Sequence, residues 1–281
     1  ISGFKLKKVN LAILKVNLRY YWDYSTGETT DPRIVSAIID YLRERSGEKV
    51  DIVIAEADAS AMRTKYAFRM LGYEKLAQRR GVKLLNLCES EKVERQVVVN
   101  RRKFTLPVAK PMLDADLLIN VPKLRTHRLT TVSCSLKNFF GAIAKPRKIV
   151  YHPRLNEVIV GINKLLKADL TVVDGFIALG KCPIRMGLVL ASTDQLAADF
   201  IAAKIMGYDP WRIKHLKLAA REDVGTTKGV EVVGEREIEE FSKDFPNENY
   251  FFFNLKWDLK LRLLDSYLKV TKDTRPPVLD R

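Results

Sequence analysis

Residues Val9–Glu56 read VNLAILKVNLRYYWDYSTGETTDPRIVSAIIDYLRERSGEKVDIVIAE, and this stretch decides the fold. Val9–Val16 is an apolar run of strand length. A polar loop follows through Thr30. Asp31-Pro32 then opens a helix, with Asp31 as N-cap and Pro32 at the first helical position. Ile34, Val35, Ile38, Ile39 and Leu42 fall on one face of it, and Gly47 ends it. Val50–Ala55 is a second strand. The unit is therefore β-loop-α-β, and a right-handed crossover places its strands side by side in a parallel sheet.

The alternation continues outward from this unit. Residues 62–80 read as helix and Val82–Leu87 as strand. Val93–Val99 and Lys103–Val108 flank the polar turn Asn100–Arg102, predicting a hairpin with a basic, exposed tip. Asp116–Val121 is a short apolar strand that stops at Pro122. A polar loop carrying Lys123, Arg125, Thr126 and His127 is expected after it, then a helical run with Lys137, Asn138 and Gly141. An amphipathic helix runs from Leu155 to Leu166, and Leu170–Val173 is a strand ending at Asp174-Gly175. Gly187–Ala191 is a further strand, Ser192-Thr193-Asp194 starts the helix Ala197–Met206, and Asp209-Pro210 starts another. Val230–Val233 reads as a last short strand. From Gly234 the composition turns charged, then aromatic and basic at Tyr250–Phe253 and Leu255–Leu268. The reading is an α/β domain over 1–234, doubly wound around a mainly parallel, Rossmann-like sheet, with an inserted β-hairpin. A C-terminal extension over 235–281 either packs on its own core or contacts a partner through Phe251, Phe252, Phe253 and Trp257.

Composition narrows the function classes. The 281 residues are 47% hydrophobic, enough for one large core. Three scattered cysteines, Cys88, Cys134 and Cys182, argue against a disulfide framework, a zinc ribbon or a cysteine-ligated iron–sulfur cluster. No apolar run spans a bilayer and no signal peptide is visible, although the start at Ile1 suggests a missing initiator end; a cytoplasmic location is expected. The charge of +15, from 49 Lys+Arg against 34 Asp+Glu, attracts nucleic acid, anionic lipid or phosphorylated metabolites. It is dispersed in small clusters such as Arg101-Arg102-Lys103, which fits a solvated basic surface as well as a nucleic-acid face.

Four strands end in chemically capable residues: Asn17, then Glu56 and Asp58, then Lys123, Thr126 and His127, then Asp174. Parallel strands would bring these ends to one crevice. Individually each has an ordinary alternative, such as a turn cap for Asn17 or a structural hydrogen bond for His127. Cations beside His127 favour its neutral form, suited to a base or a metal ligand. His152 is a second candidate, and His127, His152 and Asp174 could make a mixed nitrogen–oxygen site for a divalent metal. His215, among lysines at a helix start, reads as surface. Thr29 and Thr30, before the first helix, are candidates to bind an anion at its N-terminus or simply to shape the helix entry. No GxGxxG, Walker A, HExxH or GxSxG motif is present.

Taken in order, the chain resembles the family catalogued as domain of unknown function 362. The matching residues are Lys15-Val16-Asn17, Thr29 to Pro32, Glu56, Asn120 to His127, Ser135 to Gly141, His152, Val173-Asp174-Gly175, Ser192 to Asp199 and Met206 to Pro210. The resemblance covers roughly residues 9–234. Many members resemble fusions with ferredoxin-type modules; this chain lacks their cysteines, so no iron–sulfur cluster is expected. It also departs at Lys15-Val16-Asn17, where lysine-proline-asparagine is usual, and at Gly180-Lys181-Cys182-Pro183. These motifs coincide with the strand ends. The expected site is a crevice for an anionic small molecule or metal, in an enzyme of unknown reaction. Its candidate catalytic groups are His127, Lys123, Glu56 and Asp174. Asn17, Thr29, Thr30, Thr126, Lys137 and Asn138 are candidate ligand contacts. The rival reading is a nucleic-acid or ribonucleoprotein-binding protein, with RNA held by the basic surface.

Overall fold

The computed structural model describes residues 9–46 and 50–247, with the isolated helical positions Leu263, Ser266 and Val270. Its first half runs β1 (Leu11–Val16), α1 (Pro32–Ser46), β2 (Asp51–Glu56), α2 (Thr64–Met70), α3 (Tyr73–Arg80) and β3 (Lys83–Asn86). The hairpin β4 (Lys92–Val99) and β5 (Arg102–Ala109) and the short α4 (Lys110–Asp114) follow. Then come β6 (Leu117–Val121), β7 (Lys123–His127), β8 (Thr131–Ser133), α5 (Ser135–Asn138) and α6 (Leu155–Leu165). The chain continues through β9 (Leu170–Leu179), β10 (Pro183–Ser192), α7 (Gln195–Ile205), α8 (Lys214–Arg221) and α9 (Ile238–Asp244).

The central sheet is mainly parallel. Strands β3, β2, β1, β6 and β9 lie side by side in that order, all parallel. Helices cover both faces. Ala12, Leu14, Ile52, Ile54 and Ile119 pack with Val35, Ile39 and Leu42 of α1 and with Phe68 and Tyr73. Ile13, Val53, Leu118 and Val173 face the opposite way, into a core with Val158, Ile162, Phe200 and Leu216. Burial on both faces explains why these strands read as continuous apolar runs rather than as alternating ones. The antiparallel pair β4–β5 forms its own small sheet. Its turn uses positive φ at Asn100 (48°) and Arg101 (62°), a conformation that suits two-residue hairpins.

Five local expectations need correction. The segment Lys123–His127 is not a loop but the strand β7. Pro122 interrupts β6, yet its carbonyl still accepts from Asp174 N (2.8 Å), and Lys123 pairs with Asp174 in the register that β6 set with β9. Asp174 accordingly lies inside the ten-residue β9 rather than at its end. Residues 230–233 form no strand; Val233 is 87% exposed. His215 is not on the surface but fully buried, because the apolar face of α8 turns it inward with Leu216 and Ala219. The helical stretch 62–80 is two helices, broken at Gly72.

At its far end the described chain returns to the domain. Helix α9 packs against α7, and Phe245 joins the core. Lys181 N, in the β9–β10 turn, donates to Pro246 O (2.7 Å). The expected aromatic and basic tail over 250–268, with Phe251, Phe252, Phe253 and Trp257, lies outside the described residues.

Candidate functional site

Strand β1 has β2 on one side and β6 on the other, because the chain runs outward to β3 before returning. Such a reversal opens a crevice at the carboxyl ends of the strands. A cavity of about 820 Å³ lies there, within the size range of small-molecule sites. Its wall includes Lys15, Asn17, Arg19, Glu28, Glu56, Asp58, Arg125, Thr126, His127, Lys137, Asn138, Lys148 and His152. Tyr20 and Trp22, with ring centroids 5.2 Å apart, stand on the same wall and are partly exposed.

The floor is a polar network. Lys15 Nζ meets Glu56 Oε1 at 2.7 Å and donates to Val16 O at 2.6 Å. Glu56 also accepts from Leu18 N and Ala57 N, both at 2.8 Å, so three donors hold it in place. Asn138 Nδ2 donates to Asn120 Oδ1 (2.7 Å) and Lys15 O (3.0 Å), tying α5 to β6 and β1. The start of α5 is fixed from α7: Asp199 accepts from Ser135 N (2.6 Å) and Leu136 N (2.9 Å). Burial pushes the Asp199 carboxyl up to about 7, against the pull of those donors. This clamp lets a four-residue helix present Lys137 and Asn138 side by side at the crevice.

Positive charge dominates the wall. Lys15, Arg19, Arg125, Arg128, Lys137, Lys148 and Lys181 are set against only Glu28, Glu56 and Asp58. Glu28 serves two guanidinium groups, Arg125 at 3.0 Å and Arg19 at 3.4 Å. Asp58 is taken by Arg63 at 3.0 Å. Lys148 Nζ donates to a neutral carbonyl, Asp58 O, at 2.8 Å. Lys137 makes no hydrogen bond or ion pair with any described residue. Desolvation, with Arg125 and Arg19 nearby, holds its amine well below the ordinary lysine range.

Both wall histidines are neutral at pH 7. Burial, then Lys137 and Arg125, lowers His127 well below its ordinary value. Burial, then Lys137, lowers His152 to about 4. Leu129 N donates to His127 Nδ1 (3.2 Å). A neutral imidazole that accepts at Nδ1 carries its proton on Nε2, so His127 can offer a ligand an N–H donor.

The structure thus brings together Asn17, Glu56, Thr126, His127, Lys137 and Asn138. It places Lys123 and Asp174 elsewhere. They pair with one another at 2.8 Å beneath the wall, both side chains with no exposure. Asp174 is also occupied by Asp31 N (2.8 Å) and Phe176 N (3.1 Å). Thr29 and Thr30 are buried. Their hydroxyls accept from Arg19 N (3.3 Å) and Asn17 N (3.0 Å), shaping the loop that carries those residues. Among the described residues, no group of three or more His, Cys, Asp or Glu side chains is placed to hold a metal ion, so His127, His152 and Asp174 are not a ligand set.

Reading strand ends alone missed Arg19, Glu28 and Lys148, and it placed Lys15 only in a motif and Arg125 only in the polar stretch after Pro122. Lys15 carried a usable signal: a lysine inside an otherwise apolar strand, LAILKV, needs a buried partner. Arg19, Glu28 and Lys148 lie in loops with no comparable pattern.

Comparison with known proteins places residues 13–204 under the family model "Domain of unknown function (DUF362)". A thylakoid-associated protein of Synechocystis sp. is 33% identical over 133 residues, covering 43% of this chain and 41% of that protein. The lactate racemase apoprotein from Thermoanaerobacterium thermosaccharolyticum superposes with a TM-score of 0.47 at 13% identity, over 69% of this chain and 49% of that one. The chain spans less than half the length of each of these two proteins. Among the described residues, no helix is long and apolar enough to cross a membrane.

Proposed function

The chain belongs to the domain of unknown function 362 family, and from its cavity we propose that it binds a small anionic molecule at the carboxyl ends of β1, β2 and β6. The observation that carries this is Lys137, an amine on the cavity wall with no counter-ion among the described residues, beside two guanidinium groups that share one carboxylate. A cluster of that kind is costly in an empty protein and favourable around an anion. In this reading Lys137, Arg125 and Arg19 hold the anionic group. His127 donates from Nε2, and Asn17, Thr126 and Asn138 supply neutral polar contacts. The Lys15–Glu56 pair fixes the floor, and Lys123 with Asp174 supports it from behind.

Titration calorimetry of the protein with phosphate, oxalate and citrate tests the proposal. Binding of at least one is expected, with Lys137→Met weakening it roughly ten- to a hundredfold, the worth of one charge-assisted contact. Failure of all three anions at low ionic strength overturns the reading.

One observation favours the rival reading. Arg101, Arg102 and Lys103 are all exposed at the hairpin tip. RNA held there would be displaced steeply by salt and would be indifferent to Lys137→Met. A mobility-shift series with Arg101→Ala/Arg102→Ala distinguishes it from the cavity.

A further inference from the structure

We propose that Lys137 is a nucleophile that forms an imine with the carbonyl group of an anionic oxo compound, a 2-oxo acid or an aldehyde carrying a carboxylate. The inference rests on the anion-binding reading and specifies the ligand's second functional group. Among the described residues an ammonium in this position has no carboxylate to balance it, since Glu28 is engaged by Arg125 and Arg19, and Glu56 by Lys15. The amine is therefore favoured as the free base, its lone pair available on the cavity wall. Anion binding alone does not call for a buried amine next to two guanidinium groups: as a neutral donor it adds one N–H hydrogen bond to the anion, while the two arginines supply the positive charge.

The neighbours fit the chemistry. The lone pair of Lys137 Nζ attacks the carbonyl carbon while the C=O π pair moves onto oxygen and takes up a proton, giving a carbinolamine. Loss of the hydroxyl as water, with both amine protons and the carbonyl oxygen accounted for in that water, leaves the C=N bond. His127 offers its Nε2–H to the oxygen as charge gathers on it. His152, neutral and on the same wall, can accept a proton from the attacking nitrogen. Arg125 and Arg19 hold the carboxylate end and so set which carbon meets the amine. No metal, oxidant or other cofactor is required for this step.

Glyoxylate with cyanoborohydride is the test, since reduction turns the imine into a stable carboxymethyl-lysine. The full chain is treated near pH 7, where ordinary lysines are protonated and slow, and each lysine is mapped by peptide mass spectrometry. Phosphate stabilisation in a thermal melt is measured in parallel. The expected result is one dominant modification, at Lys137, at least tenfold above every other lysine and suppressed by phosphate. It is absent in Lys137→Arg, whose guanidinium forms no imine under these conditions, and no other lysine takes its place. Phosphate stabilisation without preferential Lys137 modification overturns the imine and leaves the anion site standing. Loss of both overturns both. Even modification across surface lysines, or a dominant site elsewhere, also overturns the proposal, and this outcome is read on the unaltered chain.

Discussion

His215 sits in the interior with neither ring nitrogen hydrogen-bonded, and burial lowers it to about 3. Leaving such a group unsatisfied costs about 1–3 kcal/mol. His215→Leu, of similar bulk and without polar atoms, should therefore raise the melting temperature, as a thermal denaturation of the two proteins would reveal; a lower melting temperature would mean the ring has a partner. Gly141 makes the opposite case. A Cβ there would lie 2.8 Å from Lys15 Cε and Nζ and 3.2 Å from Glu56 Oε1. Lys15 is 1% exposed and held by Glu56, so it cannot swing aside. Gly141→Ala should cost about 1–3 kcal/mol in a urea titration and weaken anion binding with it; an unchanged midpoint and affinity would refute the close fit. Neither residue announced itself in the sequence. A histidine among lysines looks solvated, and a glycine after two phenylalanines looks like a helix end, because the partners of each come from distant segments.

The junction of β6, Pro122 and β7 shows why the elements around the site were only half legible. A proline normally ends a strand's pairing, and lysine, arginine and histidine after it suggest a solvated loop. Here the next strand resumes along the same edge of β9, and Lys123 is buried because Asp174 awaits it in register. Periodicity sees a chain segment and not the strand beside it. The two strands and the helix start of the β-α-β unit at Val9–Ala55, by contrast, were readable, since its apolar face and its Asp31-Pro32 start are local; the expected helix end at Gly47 lies outside the described residues. The pairing of β7 with β9 also bears on stability. Lys123→Met strands an uncompensated Asp174 in the interior and should cost about 3–5 kcal/mol. Chemical denaturation measures it, and a loss below about 1 kcal/mol, the range of an exposed pair, would contradict the buried geometry.

For the whole molecule, protons and net charge give two further expectations. His127, His152 and His215 all titrate lower in the folded protein than the ordinary value near 6.5. As pH falls below about 6.5 the unfolded chain takes up three protons that the fold refuses until far lower pH. Asp199 works the other way, because its raised value near 7 lets the folded state keep one proton that the unfolded chain lacks above about 4. Three against one leaves a net uptake by the unfolded state, so stability should fall as the pH drops below about 6. Urea midpoints at a few pH values check this, and a flat or rising profile on acidification would contradict the buried histidines. The charge of +15, which the sequence makes plain, should produce weak, salt-sensitive polyanion binding over the surface. If heparin retention changes with Lys137→Met, surface and cavity are not separate. One contact at the far end of the described chain ties these scales together. Gly180 and Lys181 belong to the cavity wall, and Pro246 lies against them, so close that a side chain at Gly180 would collide with the Pro246 carbonyl. The segment following α9 is thus a buttress for the mouth of the crevice. A protease nick between Asp244 and Pro246 would leave the sheet whole but unprop one lip, altering how readily a ligand enters and leaves rather than whether the protein folds.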